Sequence, residues 1–239
     1  MLSSVSLWSL FIFSVSLIGV SFGQSNLPYK GYSGFRIDPK TKRLIFHHEQ
    51  TIAVVEFLPR KVFANCELIE VLDKNVKIEA LNNLTKTIGR EPKEISFKQM
   101  MDLMNACAHL PDQKFEPKGR QRETSPLILE GTNWCGAGDV ALNYYDLGED
   151  TVVDKCCRTH DLCPKKVRSR STDYGVENNS AFVTMSHCDC DRRFVNCLKN
   201  AKNSVADFLG TIYFNILRPR CLTGDGSKLQ AVENKNIKF

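Results

Sequence analysis

Residues 151–163 read Thr-Val-Val-Asp-Lys-Cys-Cys-Arg-Thr-His-Asp-Leu-Cys and run directly into Pro164. No glycine interrupts the stretch, Thr151 or Asp154 can cap its start, and the proline cannot continue a helix, so the pattern predicts one short helix. Cys156 and Cys163 are seven residues apart, two turns on one face. A second helix is expected from about Asp189 to Leu217, where Phe194, Leu198, Ala201, Val205, Phe208, Leu209, Ile212 and Ile216 recur at helical spacing. Cys190 and Cys197 again stand seven apart there. Two antiparallel helices could be stapled twice, Cys156 to Cys197 and Cys163 to Cys190, although spacing alone suits the parallel pairing equally.

On the first helix His160 lies four residues past Cys156, roughly 40° round from it at about 100° per residue, so it faces the second helix. Asp191 flanks the facing stripe there, within reach of the imidazole. Asp161 points elsewhere, sharing a side with Cys157. A candidate partner for Cys157 is Cys135, inside Gly131-Thr132-Asn133-Trp134-Cys135-Gly136-Ala137-Gly138. The glycines of that loop allow backbone angles that turn several carbonyls inward. A Cys135–Cys157 bond would hold those carbonyls against Asp161, an all-oxygen shell of the kind a hard cation such as calcium requires. With a single carboxylate the site would be weak, filling at the roughly millimolar calcium found outside cells.

The rest of the chain says where this segment works. Leu10 to Val20 form an apolar run of signal-peptide length, too short to span a bilayer, and Ser21 and Gly23 suit a cleavage site that leaves Gln24 first. All ten cysteines follow it, an even set that an exported protein would pair. Asn83 and Asn178 head glycosylation sequons. The net charge of +5 arises within residues 1–122, which carry 17 Lys and Arg against 12 Asp and Glu, so the cysteine-rich part is neutral and nothing points to nucleic acid.

Cys66 and Cys107 stand apart from the other eight cysteines. Between the groups Asp112 to Pro126 is polar and rich in proline, a linker in which Lys118 to Arg122 offers a convertase a site. The division is therefore a signal peptide (1–23), an N-terminal unit or propeptide (24–122) and a cysteine-rich domain (123–239). In the upstream unit, Arg43–Phe46 and Thr51–Leu58 read as a hairpin. Glu67–Leu72, Val76–Ile88 and Ser96–Leu110 read as helical, the last with a Ser cap and core methionines. His47 and His48, adjacent on a strand, point to opposite faces and make a poor metal pair.

Trp134-Cys135-Gly136-Ala137-Gly138, Cys156-Cys157-Arg158-Thr159-His160-Asp161-Leu162-Cys163, Cys188-Asp189-Cys190-Asp191 and Tyr213-Phe214-Asn215 together resemble the secreted phospholipase A2 of the bee-venom type (group III), over about Leu127 to Cys221. The resemblance implies a mainly α, disulfide-rich fold: two antiparallel disulfide-linked helices with a calcium-binding loop, preceded here by a small α+β unit. It implies calcium-dependent hydrolysis of the sn-2 ester of glycerophospholipids at a membrane surface or micelle, with no obligate protein partner. His160 corresponds to the base that takes a proton from water, Asp191 to the aspartate that holds the ring, and Tyr213 to a tyrosine supporting that aspartate. The carbonyls of Trp134, Gly136 and Gly138 and the carboxylate of Asp161 correspond to the calcium ligands. The implied disulfides are Cys135–Cys157, Cys156–Cys197, Cys163–Cys190 and Cys188–Cys221, leaving Cys66–Cys107 upstream.

Two departures stand out. Ala137 replaces a histidine of the bee loop, and the further cysteine pair and tail that follow in the bee form are absent. An apolar rim for lipid is expected from Leu127, Ile128 and Leu129 with Phe182 and Val183, and a basic run from Lys165, Lys166, Arg168 and Arg170 could meet anionic headgroups. Two rival readings are a catalytically silent ligand or toxin on the same fold, which would lose the histidine or metal aspartate, and a cysteine-metal module, which the lack of Cys-x-x-Cys pairs disfavours.

Overall fold

The computed structural model describes residues 31–113, 125–235 and 237–239. The signal segment, most of the linker and its basic cluster lie outside them. The chain opens with β1 (Lys42–His48), β2 (Thr51–Leu58) and β3 (Val62–Glu70). α1 (Lys74–Ile88), the two-residue β4 (Lys93–Glu94) and α2 (Phe97–Ala108) follow. The sheet order is β3-β2-β1-β4, with β4 alone parallel to its neighbour.

The hairpin forms as its β-branched runs predict, with Phe46 opposite Ala53 and His48 opposite Thr51. Glu67–Leu72, expected as helix, instead belongs largely to β3: Thr51 to Val55 of β2 pair with Glu70 to Cys66, and the ladder overrides a locally helical spacing of Leu and Ile. α1 begins later, capped by Asp73. α2 has the full capping box, Ser96 accepting from Gln99 N–H while the Gln99 side chain accepts from Ser96 N–H.

Downstream come α3 (Thr151–Asp161), β5 (Lys166–Val167), β6 (Ser171–Asp173), β7 (Val176–Asn178) and β8 (Met185–Ser186). Then follow α4 (Cys188–Ala201), α5 (Ser204–Gly210), a π-helical segment (Thr211–Leu217), β9 (Cys221–Thr223) and β10 (Gln230–Val232). The single long helix expected from Asp189 to Leu217 is thus broken. Lys202 takes a left-handed conformation with φ 52°, and Asn203 starts a new helix by accepting from Ala206 N–H. Asp150, rather than Thr151 or Asp154, caps α3.

Five disulfides are present: Cys66–Cys107, Cys135–Cys157, Cys156–Cys197, Cys163–Cys190 and Cys188–Cys221. The third and fourth of these, Cys156–Cys197 and Cys163–Cys190, join the earlier cysteine of each helix region to the later one of the other, so α3 and α4 run antiparallel. Among the described residues no helix is long and apolar enough to cross a membrane.

One core cluster draws Ala53, Val55, Cys66, Leu68, Met100, Met101 and Met104 from upstream and Tyr144, Tyr145, Leu162, Cys163 and Cys190 from downstream. Each methionine buried there contributes about 2 kcal/mol, which accounts for the methionine stripe as packing. Polar contacts cross the same boundary at the tip of the hairpin. Gln50 N–H donates to Pro164 O at 3.0 Å, Gln50 Nε2 to Lys166 O at 3.1 Å, and Thr51 Oγ1 to Leu162 O at 2.8 Å. The upstream sheet therefore grips the chain just after His160 and Asp161, fixing the end of α3 that carries them.

Candidate active site

The glycine loop is anchored by α3. Asp154, fully buried, accepts from the backbone N–H of Asn133, Trp134 (2.7 Å) and Gly148 (2.7 Å). Burial pushes its carboxyl above the ordinary range, against the pull of those three donors. The Cys135–Cys157 bond ties the loop to α3 a second time. Within the loop, Asn133 O accepts from Val140 N–H and Cys135 O from Leu129 N–H, both at 2.8 Å. The carbonyls of Trp134, Gly136 and Gly138 occupy the positions between and beyond these.

Two of those positions demand glycine for visible reasons. A Cβ on Gly136 would lie 2.1 Å from Leu127 O, and Gly138 has φ +90°. Among the described residues no three His, Cys, Asp or Glu side chains group as a metal cluster. A cation here would rest on main-chain oxygens and the Asp161 carboxylate, a donor set that fits calcium and suits neither zinc nor copper.

Gly136, Ala137, Gly138, His160, Asp161 and Tyr213 all line one cavity of about 530 Å³. His160, from the last turn of α3, points Nε2 at Asp191 Oδ1, 2.7 Å away, and its ring stacks on Phe194 with centroids 4.4 Å apart. Asp191 sits in the first turn of α4 and is fully buried. Burial raises its pKa, opposed by the bond from His160. Tyr213, on the π-helical segment, meets the His160 ring edge-on at 5.4 Å. Its phenol is held well above its usual pKa, by burial first and then by the charges of Asp191 and Asp161.

Three features in and behind the cavity carry no signal of their role in the sequence. Phe194 is the platform for the imidazole, and the helical spacing marked it only as core. Asn234 donates from Nδ2 to Asp191 Oδ2 at 2.9 Å, from a segment with no motif. Glu70, at the end of β3, lines the same cavity and pairs with Lys166 and Arg168, while Lys166 also donates to Asp161 O.

The last observation corrects the basic run at Lys165 and Lys166, while Arg168 and Arg170 are exposed as expected. Lys165 and Lys166 are buried, Lys165 donating to Asp225 O at 2.7 Å, because the hairpin and β8 cover them. They do not form an exposed cationic patch. Of the expected apolar rim, Phe182 and Val183 line the cavity, joined by Leu209, Ile212 and Leu217, and Phe182 is 73% exposed. Leu127 is exposed too, but Ile128 bridges to Gly136 and Leu129 packs inward. Of the two sequons, the Asn178 side chain is buried and its amide donates to Val167 O and Val183 O, while Asn83 is exposed.

Residues 128–225 match the family model described as Phospholipase A2. The chain is 45% identical over 103 residues to the group 3 secretory phospholipase A2 of Homo sapiens, an overlap of 43% of this chain and 20% of that protein. It is 43% identical over 95 residues to phospholipase A2 isozymes of Heloderma suspectum, covering 40% of this chain and 66% of theirs. It is 37% identical over 111 residues to a phospholipase A2 of Apis dorsata, covering 44% of this chain and 82% of that one. The match to the human relative thus spans one fifth of its length, and the family match begins downstream of the sheet.

Proposed function

The chain belongs to the phospholipase A2 family, and from that premise we propose that it is a secreted, calcium-dependent enzyme that hydrolyses the sn-2 ester of glycerophospholipids at a membrane or micelle surface. In this reading residues 1–23 are a signal peptide, 123–239 the catalytic domain with its two-helix, calcium-loop architecture, and 24–122 an α+β unit that braces it.

The observation that carries the reading is the 2.7 Å contact of His160 Nε2 with the buried Asp191, in a cavity shared with the glycine loop and Asp161. With Nε2 committed to Asp191, Nδ1 is the ring nitrogen that takes a proton from water as the water attacks the ester carbonyl. Asp191 stabilises the imidazolium so formed and holds the ring against Phe194. Tyr213, edge-on to the imidazole at 5.4 Å, supports the His160–Asp191 pair by packing rather than through a hydrogen bond to Asp191. The imidazolium then returns its proton to the departing lysophospholipid alkoxide, freeing the fatty acid.

The carbonyls of Trp134, Gly136 and Gly138 with the Asp161 carboxylate would hold calcium. Bound there, calcium supplies Lewis-acid polarisation of the carbonyl and positive charge for the phosphate and oxyanion. Phe182, Val183, Leu209, Ile212 and Leu217 form the apolar mouth through which an acyl chain leaves the bilayer.

Fatty-acid release from phosphatidylcholine vesicles, with calcium or with chelator, tests this. We expect release only from wild type with calcium, and a loss of at least about 10³-fold in His160→Gln. Equal release by His160→Gln would remove the assigned base. No release by any form would favour the silent ligand instead.

A further inference from the structure

Asp191 is the buried anion on which the imidazole depends, and its two oxygens have different partners. Oδ1 takes His160; Oδ2 takes the amide of Asn234, 43 residues later, at 2.9 Å. Asn234 is held from both sides. Just before it, β10 pairs with β9, Val232 opposite Cys221, and Cys221 is bonded to Cys188 at the start of the helix that carries Asp191. Just after it, the end of the chain is clamped by Asn215, whose Nδ2 donates to Phe239 O at 3.1 Å and whose Oδ1 accepts from Phe239 N–H at 3.2 Å. The Phe239 ring lies where a Cβ on Gly210 would be, 2.2 Å from the nearest ring atom, so only glycine admits it. Lys199 Nζ adds a bond to Lys238 O at 2.9 Å.

We infer that Asn234 is a positioning residue for the His160–Asp191 pair: its amide keeps Asp191 an acceptor on both oxygens, and thereby keeps the imidazole proton on Nε2 and the lone pair on Nδ1. The chemistry is local. An amide N–H aimed at Oδ2 excludes a proton from that oxygen, so the carboxyl stays ionised in a site where burial favours its neutral form. A carboxylate with no proton of its own can only accept from His160, which fixes the tautomer. Two donors in fixed directions also set the carboxylate plane, and with it the plane of the ring. The C-terminal segment is in this view a strap that delivers one functional group to the site.

The inference rests on His160 acting as a base, and a substitution series separates it from simple packing. Asn234→Asp keeps shape but turns the donor into an acceptor; Asn234→Ala removes both. A packing role ranks Asp as the milder change. The inference ranks it as the worse one, since two carboxyl groups would then share a proton. We expect kcat to fall about tenfold in Asn234→Ala, the scale of one charge-assisted hydrogen bond, and about a hundredfold in Asn234→Asp, with KM within about twofold. In an Asp191→Asn background, Asn234→Ala should cost less than about twofold.

Imidazole ¹⁵N shifts of labelled His160 give a readout independent of turnover: the Nε2–H tautomer in wild type, a mixture in Asn234→Asp. An inactive wild type would defeat the functional reading alone, and the ¹⁵N spectra would still decide this one. An Asn234→Asp protein with wild-type kcat and tautomer, or an Ala variant worse than Asp, would overturn the inference.

Discussion

Asp154 does not itself line the cavity, and replacing it by Asn should loosen the glycine loop from behind. The carboxylate is fully buried and satisfies three backbone donors, with Oδ1 serving Asn133 and Trp134 and Oδ2 serving Asn133 and Gly148. An amide has one acceptor oxygen. If that oxygen keeps the Oδ1 place, the new NH2 faces Gly148 N–H; if it turns over, it faces Trp134 N–H. Either way one donor meets another, and the bonds that remain lose their charge. One lost charge-assisted bond costs about 1.5–3 kcal/mol, and with the weakened remainder the total is about 4 kcal/mol. For a domain of this size that is a fall in Tm of about 10 °C. The Cys135–Cys157 bond still tethers the loop, so calcium affinity should drop about tenfold rather than vanish. Differential scanning calorimetry and calcium titration calorimetry read the two quantities on one sample. A Tm within about 3 °C of wild type together with unchanged calcium affinity would show that Asp154 does not hold the loop.

Three further expectations have separate origins. Gly136→Ala places a Cβ 2.1 Å from Leu127 O, so the loop must shift by about an ångström, and calcium-dependent turnover should fall about 100-fold while Tm moves little; wild-type turnover across a calcium titration would count against the loop geometry. Glu67 is buried and its pKa is raised from 4.5 to about 7, chiefly by desolvation. Between those values the folded chain holds a proton that the unfolded chain has released, so this group's contribution to stability declines as pH rises from 4.5 to 7, by up to about 3 kcal/mol. Glu67→Gln should flatten the Tm–pH curve across that window, and an identical slope in both proteins would disprove it. No disulfide joins residues 31–113 to residues 125–239 among the described residues. A chain cut between 113 and 125 should nonetheless run as one species in native gel filtration and separate in urea without reductant, whereas separation in native buffer would mean that the shared core is too weak to hold the pieces.

The parts of the site that could be read from the sequence are those whose geometry is local. Seven-residue cysteine spacing on two helices, His160 one turn past Cys156, and Asp161 beside Cys157 all follow from the 3.6-residue turn, whatever the rest of the chain does. The parts that could not be read depend on distant chain. Glu67 to Glu70 are strand because β2 offers a ladder, and their own side chains favour a helix on spacing. Lys166 is buried because a hairpin more than a hundred residues earlier closes over it, and a charge run carries no mark of being covered. The break at Lys202 was visible in principle, since Asn203 followed by Ser204 is a capping signal, but the apolar period runs on across it.

The same contrast explains how the second unit relates to the first. Were residues 31–113 part of a disposable propeptide, their contacts would be expected to cover the cavity mouth and to leave the proposed site complete without them. Instead, Gln50 and Thr51 bind the turn that follows Asp161, Met101 and Met104 share a core with Cys163 and Cys190, and Glu70 lines the cavity while pairing with the lysine that bonds Asp161 O. Meanwhile Phe182 and Leu217 at the mouth remain exposed. Among the described residues the upstream unit braces the ends of the elements that carry the proposed site and leaves Phe182 and Leu217 uncovered, and we propose that it works as a scaffold. Its loss should therefore lower activity rather than release it, because α3 would lose the support that holds His160 and Asp161 at the angles the proposed mechanism needs.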